Sequence, residues 1–276
     1  MNNDDIWGEC DVKVLAIVGS PRKGNSYKMT QLVEERMKNL GDVEFEYLFL
    51  KDMDMGRCTG CHVCVTKGED KCPSAFDQKS MEEKMMAANG VIFVTPTYSF
   101  HISGLMKCFV DYFTYCVHRP RFFGRQAMVF VLRGDILKDG IKYMVKVAKS
   151  WGFNVPCTLG VAELESLTPR YRDKTLKDVY KKVDMFYNAI RDEARARPTL
   201  YDLIGFRIWR MNAIACRESI APDYEYWNMK GWLDKTYYYD VKVNIFKRAV
   251  TGIVESLSRS FMIKIFGDVY KKKDAI

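Results

Sequence analysis

Histidine is scarce in this chain, three among 276 residues, and the patterns HExxH and GxSxG are missing. Zinc-protease chemistry and the nucleophile elbow of the hydrolases are therefore excluded, and no side chain stands out as a catalytic nucleophile. Two phosphate signatures are missing as well. Without GxGxxG a dinucleotide pyrophosphate is disfavoured, and without GxxxxGK[ST] there is no P-loop. Long apolar runs are also lacking: the most apolar segment, near the C-terminus, is broken by Lys247, Arg248, Glu255, Arg259 and Lys264, well short of the roughly 18 to 20 uncharged residues of a spanning helix. The first residues, MNNDDIWGECD, are acidic where a secretory leader is basic and apolar, so the expected location is cytoplasmic. Nine cysteines in a reducing compartment then read as thiols or metal ligands rather than as a disulfide framework. No internal repeat is present, and low complexity is confined to Lys271-Lys272-Lys273.

What is present is globular. Hydrophobic residues make up 48% of the chain, and its length suits one full domain plus a smaller part. The formal charge of +8 is uneven: residues 1–169 hold 21 basic and 21 acidic side chains, residues 170–276 hold 22 and 14. The whole surplus lies in the C-terminal part.

Apolar runs at 13–18, 43–50, 91–95, 126–132 and 155–161 read as five strands, and helical patterns begin near Ser26 and fill 80–89, 103–117, 139–151 and 173–196. Strands alternating with helices predict an α/β fold, a doubly wound parallel sheet covered on both faces. Pro96 is expected to end the third strand. Pro198 marks a boundary, dividing residues 1–197 from an aromatic-rich, mainly helical C-terminal extension, 198–276.

Ligands of such sheets sit beyond the carboxyl ends of the strands. The first of these loops, Gly19-Ser20-Pro21-Arg22-Lys23-Gly24-Asn25-Ser26, offers hydroxyls, an amide, a guanidinium and the free N–H groups of a helix start. That chemistry suits a phosphomonoester. A plain Pro/Gly turn with Ser26 as helix cap is the competing reading.

GSPRKGNS after the first strand, together with TPTYSFHISGLMKCFVDYF after the third, resembles the NADPH-dependent FMN reductase and iron-sulfur flavoprotein branch of the flavodoxin-like superfamily, over about residues 12–195. The resemblance implies a flavodoxin-like fold, electrons taken from NAD(P)H, and FMN held non-covalently with its phosphate on Ser20, Arg22, Asn25 and Ser26. It places Pro96, Thr97, Tyr98 and Ser99 along the flavin ring. Where such proteins carry a glycine-rich stretch after the fourth strand, this chain has Leu132-Arg133-Gly134-Asp135, so Arg133 and Gly134 stand for the third flavin contact in altered form. Because flavin carries hydride and electron chemistry itself, no catalytic side chain is required. His101 is either a proton donor near the ring or a surface histidine. The resemblance also implies a homo-oligomer with flavin near a subunit interface.

Cys58-Thr-Gly-Cys61-His-Val-Cys64, followed by Cys72-Pro73, is the clearest metal signal. Two-residue gaps let thiolates converge from one turn, and a proline after the last cysteine is a ferredoxin feature. The loop resembles the cluster-binding segment of iron-sulfur flavoproteins, which implies a [4Fe–4S] centre on Cys58, Cys61, Cys64 and Cys72. Zinc and an empty loop remain alternatives. Cys10, Cys108, Cys116, Cys157 and Cys216 have no such spacing and are expected to be buried thiols.

In the extension, apolar positions from Ile245 to Ile265 recur every three or four residues beside basic ones, the pattern of a basic amphipathic helix. Such a helix either covers a core or subunit or lies on an anionic membrane surface. Nucleic acid is not an expected partner, since the basic residues are diluted by apolar ones. Two functions follow: an FMN oxidoreductase with an unassigned acceptor, or a flavin electron-transfer protein that docks a redox protein partner and has no small-molecule substrate.

Overall fold

In the computed structural model, residues 11–74, 76–132 and 137–267 are described. In chain order the elements are β1 (Val12–Val18), α1 (Asn25–Lys38), β2 (Val43–Phe49), α2 (Val63–Thr66), α3 (Gln78–Ala87), β3 (Gly90–Tyr98), β4 (His101–Ile102), α4 (Gly104–Tyr112), β5 (Gln126–Leu132), α5 (Leu137–Ser150), β6 (Asn154–Val161), α6 (Pro169–Arg191), α7 (Leu200–Ala215), α8 (Ala221–Met229) and α9 (Ile245–Phe266).

The runs that read as strands pair in the order β2-β1-β3-β5-β6, all parallel. The order is that of flavodoxin-like sheets, with β1 and β3 flanking the point where successive connections diverge to opposite faces. Every residue of β5 is buried, as is all of β1 except Lys13. Such near-continuous apolar runs are what a strand covered on both faces requires. β2 is an edge strand, and most of its side chains are only half buried. On one face helices α1 and α6 pack Met29, Val33, Val183 and Phe186 against Val14, Ala16, Ile92 and Phe130. Elsewhere Trp151 fills a fully buried site among Phe93, Phe109, Phe113 and Phe122.

Three expectations need correction. The sheet has six strands rather than five, because β3 does not stop at Pro96. Pro96 falls on the last parallel pair, opposite Leu132, where the ladder is ending and an absent N–H costs little. The chain then runs on as an antiparallel hairpin, with Thr97 opposite Ile102 and Tyr98 opposite His101. The helix expected over 103–117 ends at Tyr112 and gives way to a 3₁₀ turn, Thr114–Val117. Among the unassigned cysteines, Cys116 and Cys157 are buried but Cys108 and Cys216 only partly so, and Cys10 lies outside the described residues.

The chain divides into two compact units. One takes in the residues up to Thr59 with Ser74–Arg195, which is the sheet and its helices; the other takes in Gly60–Pro73 with the residues from Ala196 on. In the second unit α7 starts with a capping box, in which Thr199 Oγ1 accepts from Asp202 N–H at 3.2 Å and Asp202 Oδ2 accepts from Thr199 N–H at 2.8 Å. Its core is aromatic: Phe206, Trp227, Trp232 and Tyr237 are buried, and the Trp227 and Trp232 rings lie 5.4 Å apart, edge to face. Aromatic pairs in this geometry add about 0.5 to 1.5 kcal/mol each beyond their burial, which gives a short segment a core of its own. Among the described residues no helix is long and apolar enough to cross a membrane.

Candidate functional site

The loop after β1 and the hairpin after β3 arise at neighbouring strand ends, and hydrogen bonds tie them together. Gly19 N–H donates to Val94 carbonyl at 2.8 Å, extending the β1–β3 ladder by one bond. Ser103, 1% exposed, then joins both loops to α4: its hydroxyl donates to Gly19 carbonyl at 2.6 Å and accepts from Met106 N–H at 3.2 Å as the helix N-cap. Ser103 N–H donates to Thr95 Oγ1 at 3.1 Å, and the two hydroxyl oxygens lie 3.3 Å apart. A side chain at Gly19 would come within 2.9 Å of Met106 Cβ, so this close approach requires glycine.

Past Gly19 the loop is pre-shaped. Ser20 is buried; its Oγ donates to Arg22 carbonyl at 2.8 Å and lies 3.3 Å from Arg22 N–H, an ST-type turn. Arg22 is exposed, and Ser26 is buried at the start of α1. The N-cap residue is Gly24, which has no side chain to offer, and the first turn carries no acid. The opening N–H groups of α1 therefore keep the positive end of the helix uncapped. Asn25 Nδ2 is buried with no partner among the described residues. Lys23 leans away from the loop, its Nζ 4.7 Å from the Phe49 ring centroid.

At the third strand, Pro96 is buried, Thr97 half buried, and Tyr98 and Ser99 exposed. Thr97 Oγ1 is a second buried polar atom with no partner among the described residues. Buried polar groups are almost always paired, so two orphans at adjoining strand ends, both within the residues expected to touch flavin, need a reason. Ser99 and Phe100 form the hairpin tip at φ 46° and 68°, left-handed values at which bulky residues are strained, and Phe100 is 71% exposed. His101 is exposed, with its ring 5.0 Å from that of Tyr143, whose hydroxyl pKa burial pushes up. Arg133 and Gly134 lie outside the described residues.

The donor set fits an FMN phosphate and ring edge: hydroxyls, an amide donor without a partner and an uncapped helix start at one loop, and an unpartnered hydroxyl at the next. Sequence reasoning missed Ser103 and Thr95. A serine before a run of helix formers signals a cap, but only the fold reveals that the same oxygen holds Gly19.

The cysteine loop leaves the sheet after β2. Its mouth is pinned by Asp54 N–H to Asp77 Oδ2 at 2.6 Å and Gly56 N–H to Tyr112 Oη at 2.6 Å. Gly60 and His62 flank Cys61 at φ 68° and 58°, and Cys64 sits on the single turn of α2. In chemistry the thiols of Cys58, Cys61, Cys64 and Cys72 suit a cluster or zinc. In geometry they do not: among the described residues no three metal-binding side chains converge, and Cys58 and Cys61 are exposed. Thiolate sites rarely preform without their metal, since the charges repel and the metal supplies the folding energy. None of the eight described cysteines is disulfide-bonded.

Comparison with known proteins gives the following. Residues 12–139 match the NADPH-dependent FMN reductase family. An iron-sulfur flavoprotein of Archaeoglobus fulgidus is 28% identical over 226 residues, which is 80% of this chain and 100% of that protein. A second one from the same organism is 37% identical over 100 residues, 36% of this chain and 48% of its own length, so the match spans about half of that relative. Among solved structures, a flavone reductase superposes with a TM-score of 0.52 at 17% identity, covering 68% of this chain and 66% of that one; the likeness is one of fold.

Proposed function

We propose that the chain, whose residues 12–139 match the NADPH-dependent FMN reductase family, is a flavin-dependent oxidoreductase that binds FMN beyond β1, β3 and β5 and passes electrons from NAD(P)H to a separate acceptor. The observation that carries this reading is the pair of buried, unpartnered polar atoms, Asn25 Nδ2 and Thr97 Oγ1, next to an uncapped helix start.

When bound, FMN supplies hydride and one-electron chemistry. The chain's own residues do the rest. Ser20, Arg22, Asn25, Ser26 and the first N–H groups of α1 hold the phosphate, a charge-assisted set made ready before ligand arrives. Pro96, Thr97, Tyr98 and Ser99 take the ring edge, and Arg133 and Gly134 its third side. Ser103 and Thr95 keep the first two loops in register. No residue of this chain is assigned to proton transfer.

Cys58, Cys61, Cys64 and Cys72 are proposed as ligands of an iron-sulfur cluster. Their spacing and the names of the curated relatives support this. A homo-oligomer in the cytoplasm completes the proposal, the latter supported by eight cysteines without a disulfide.

The test is anaerobic reduction of the FMN-loaded protein. Reduction by NADPH or NADH with turnover on a quinone or free flavin is expected. Reduction by ferredoxin alone, with no response to either nicotinamide, would overturn the reductase reading in favour of an electron-transfer protein.

A further inference from the structure

The two faces of α9 are built differently. Toward α7, Thr251 is buried and Glu255 is enclosed by two arginines: Oε2 accepts from Arg207 Nη1 at 2.6 Å and Oε1 from Arg210 Nη2 at 2.8 Å. Met262 and Ile263 pack there against Met211 and Ala215. On the opposite face Phe246, Ile253, Leu257 and Phe261 are each 61 to 72% exposed, and Ile245 and Ile265 extend the patch. At 1.5 Å per residue the stripe from Phe246 to Phe261 is about 22 Å long. Contiguous apolar surface on this scale marks an interaction site.

The charges select the occupant. The helix carries Lys247, Arg248, Arg259 and Lys264 against one acid, Glu255, which is already held by Arg207 and Arg210; Lys247 Nζ donates to Pro198 carbonyl at 3.3 Å and Arg259 Nη1 is buried, so Lys264 is the cation that falls within the exposed stripe. Lys264, exposed, falls eleven residues after Ile253 and seven after Leu257, in line with the apolar stripe. Its long stem can lie along that surface with the ammonium at the rim. A second copy of α9 set against this face has no unengaged carboxylate to meet Lys264, whichever way it runs. An anionic lipid surface supplies both an apolar interior and negative headgroups. The sequence continues to Lys271-Lys272-Lys273, adding charge of the same sign.

We propose that α9 is a peripheral anchor that lies in the plane of an anionic membrane, with Phe246, Ile253, Leu257 and Phe261 in the acyl boundary and Lys264 at headgroup level. It lies on the bilayer and does not span it. This is independent of the flavin reading.

The test is flotation of the full-length protein with phosphatidylcholine vesicles, with and without phosphatidylglycerol. Binding to the anionic vesicles alone is expected, weakening as salt rises. Lys264→Glu should weaken it roughly tenfold, and Leu257→Ser with Phe261→Ser should abolish it, both variants keeping the circular dichroism of the parent. Equal binding to neutral vesicles, or none to anionic ones, overturns the proposal. So does a dimer in vesicle-free solution that Leu257→Ser with Phe261→Ser converts to monomer, since that result assigns the face to a second copy.

Discussion

Replacing Ser103 by alanine removes one oxygen and should disturb both loops at once. That oxygen donates to Gly19 carbonyl at 2.6 Å and caps α4 through Met106 N–H at 3.2 Å, in a position 1% exposed. Loss of the cap costs about 1 kcal/mol, and a buried carbonyl left without its partner costs about 1 to 3 kcal/mol more. Since the change is small in volume, the site cannot collapse to compensate, and a net destabilisation of about 2 to 4 kcal/mol follows. Gly19 also opens the proposed phosphate loop, so FMN affinity should fall roughly tenfold, the equivalent of about 1.4 kcal/mol. Urea unfolding followed by circular dichroism reads the first effect, and quenching of FMN fluorescence reads the second. A stability change below about 0.5 kcal/mol, the size of an ordinary surface substitution, together with unchanged FMN affinity, would refute the role given to this serine.

Other changes have different signatures. Asn25→Ala should weaken FMN binding about 10-fold or more while leaving the ligand-free protein as stable or more so, because the lost Nδ2 has no partner there; a stability loss without an affinity loss contradicts the assignment. Phe100→Gly should raise stability by about 1 kcal/mol by relieving the left-handed backbone at φ 68°, read as a higher melting temperature. Burial pushes the Cys157 thiol up to about 12, so it should resist iodoacetamide at neutral pH while exposed Cys58 and Cys61 of the metal-free protein react; mass spectrometry of the digested protein locates the adducts. For Glu255, burial pushes the carboxyl pKa up, but Arg210 and Arg207 outweigh it and hold the group below its ordinary value. A depressed carboxylate pKa stabilises above the unfolded value, and that contribution is lost as pH falls through the folded one. Glu255→Gln, which takes the carboxylate away from Arg207 and Arg210 while Arg210 keeps the Lys235 carbonyl, should therefore remove about 1.5 to 3 kcal/mol at neutral pH and flatten the acid limb of the extension's stability.

The main features of the fold were legible because period and burial agree. Apolar runs of five to eight residues alternating with amphipathic helices leave few options besides a covered parallel sheet, and β5 matches its predicted bounds at both ends. The hairpin tip was not legible. Pro96 reads locally as a stop, yet its effect depends on whether a ladder bond is still to be made at that position, and only the pairing with Leu132 decides this. Ser99 and Phe100 carry no glycine or asparagine to advertise a left-handed turn. Likewise Ser20 and Asn25 could be picked out by donor type, but the loop's own residues suit a phosphate cradle or a turn alike; the unpartnered Nδ2 supports the proposed cradle. The grouping of Gly60–Pro73 with the residues after Ala196 is a long-range arrangement on which local pattern is silent.

The proposed function requires that the loops after β1 and β3 hold FMN and that the protein uses it for electron transfer. The most direct measurement is the anaerobic absorption spectrum of the purified protein, with flavin, iron and sulfide determined on the same sample. One FMN per chain is expected, bleached on adding NAD(P)H, with iron and sulfide that disappear in Cys58→Ser while the flavin stays. A colourless protein that does not take up added FMN would contradict it.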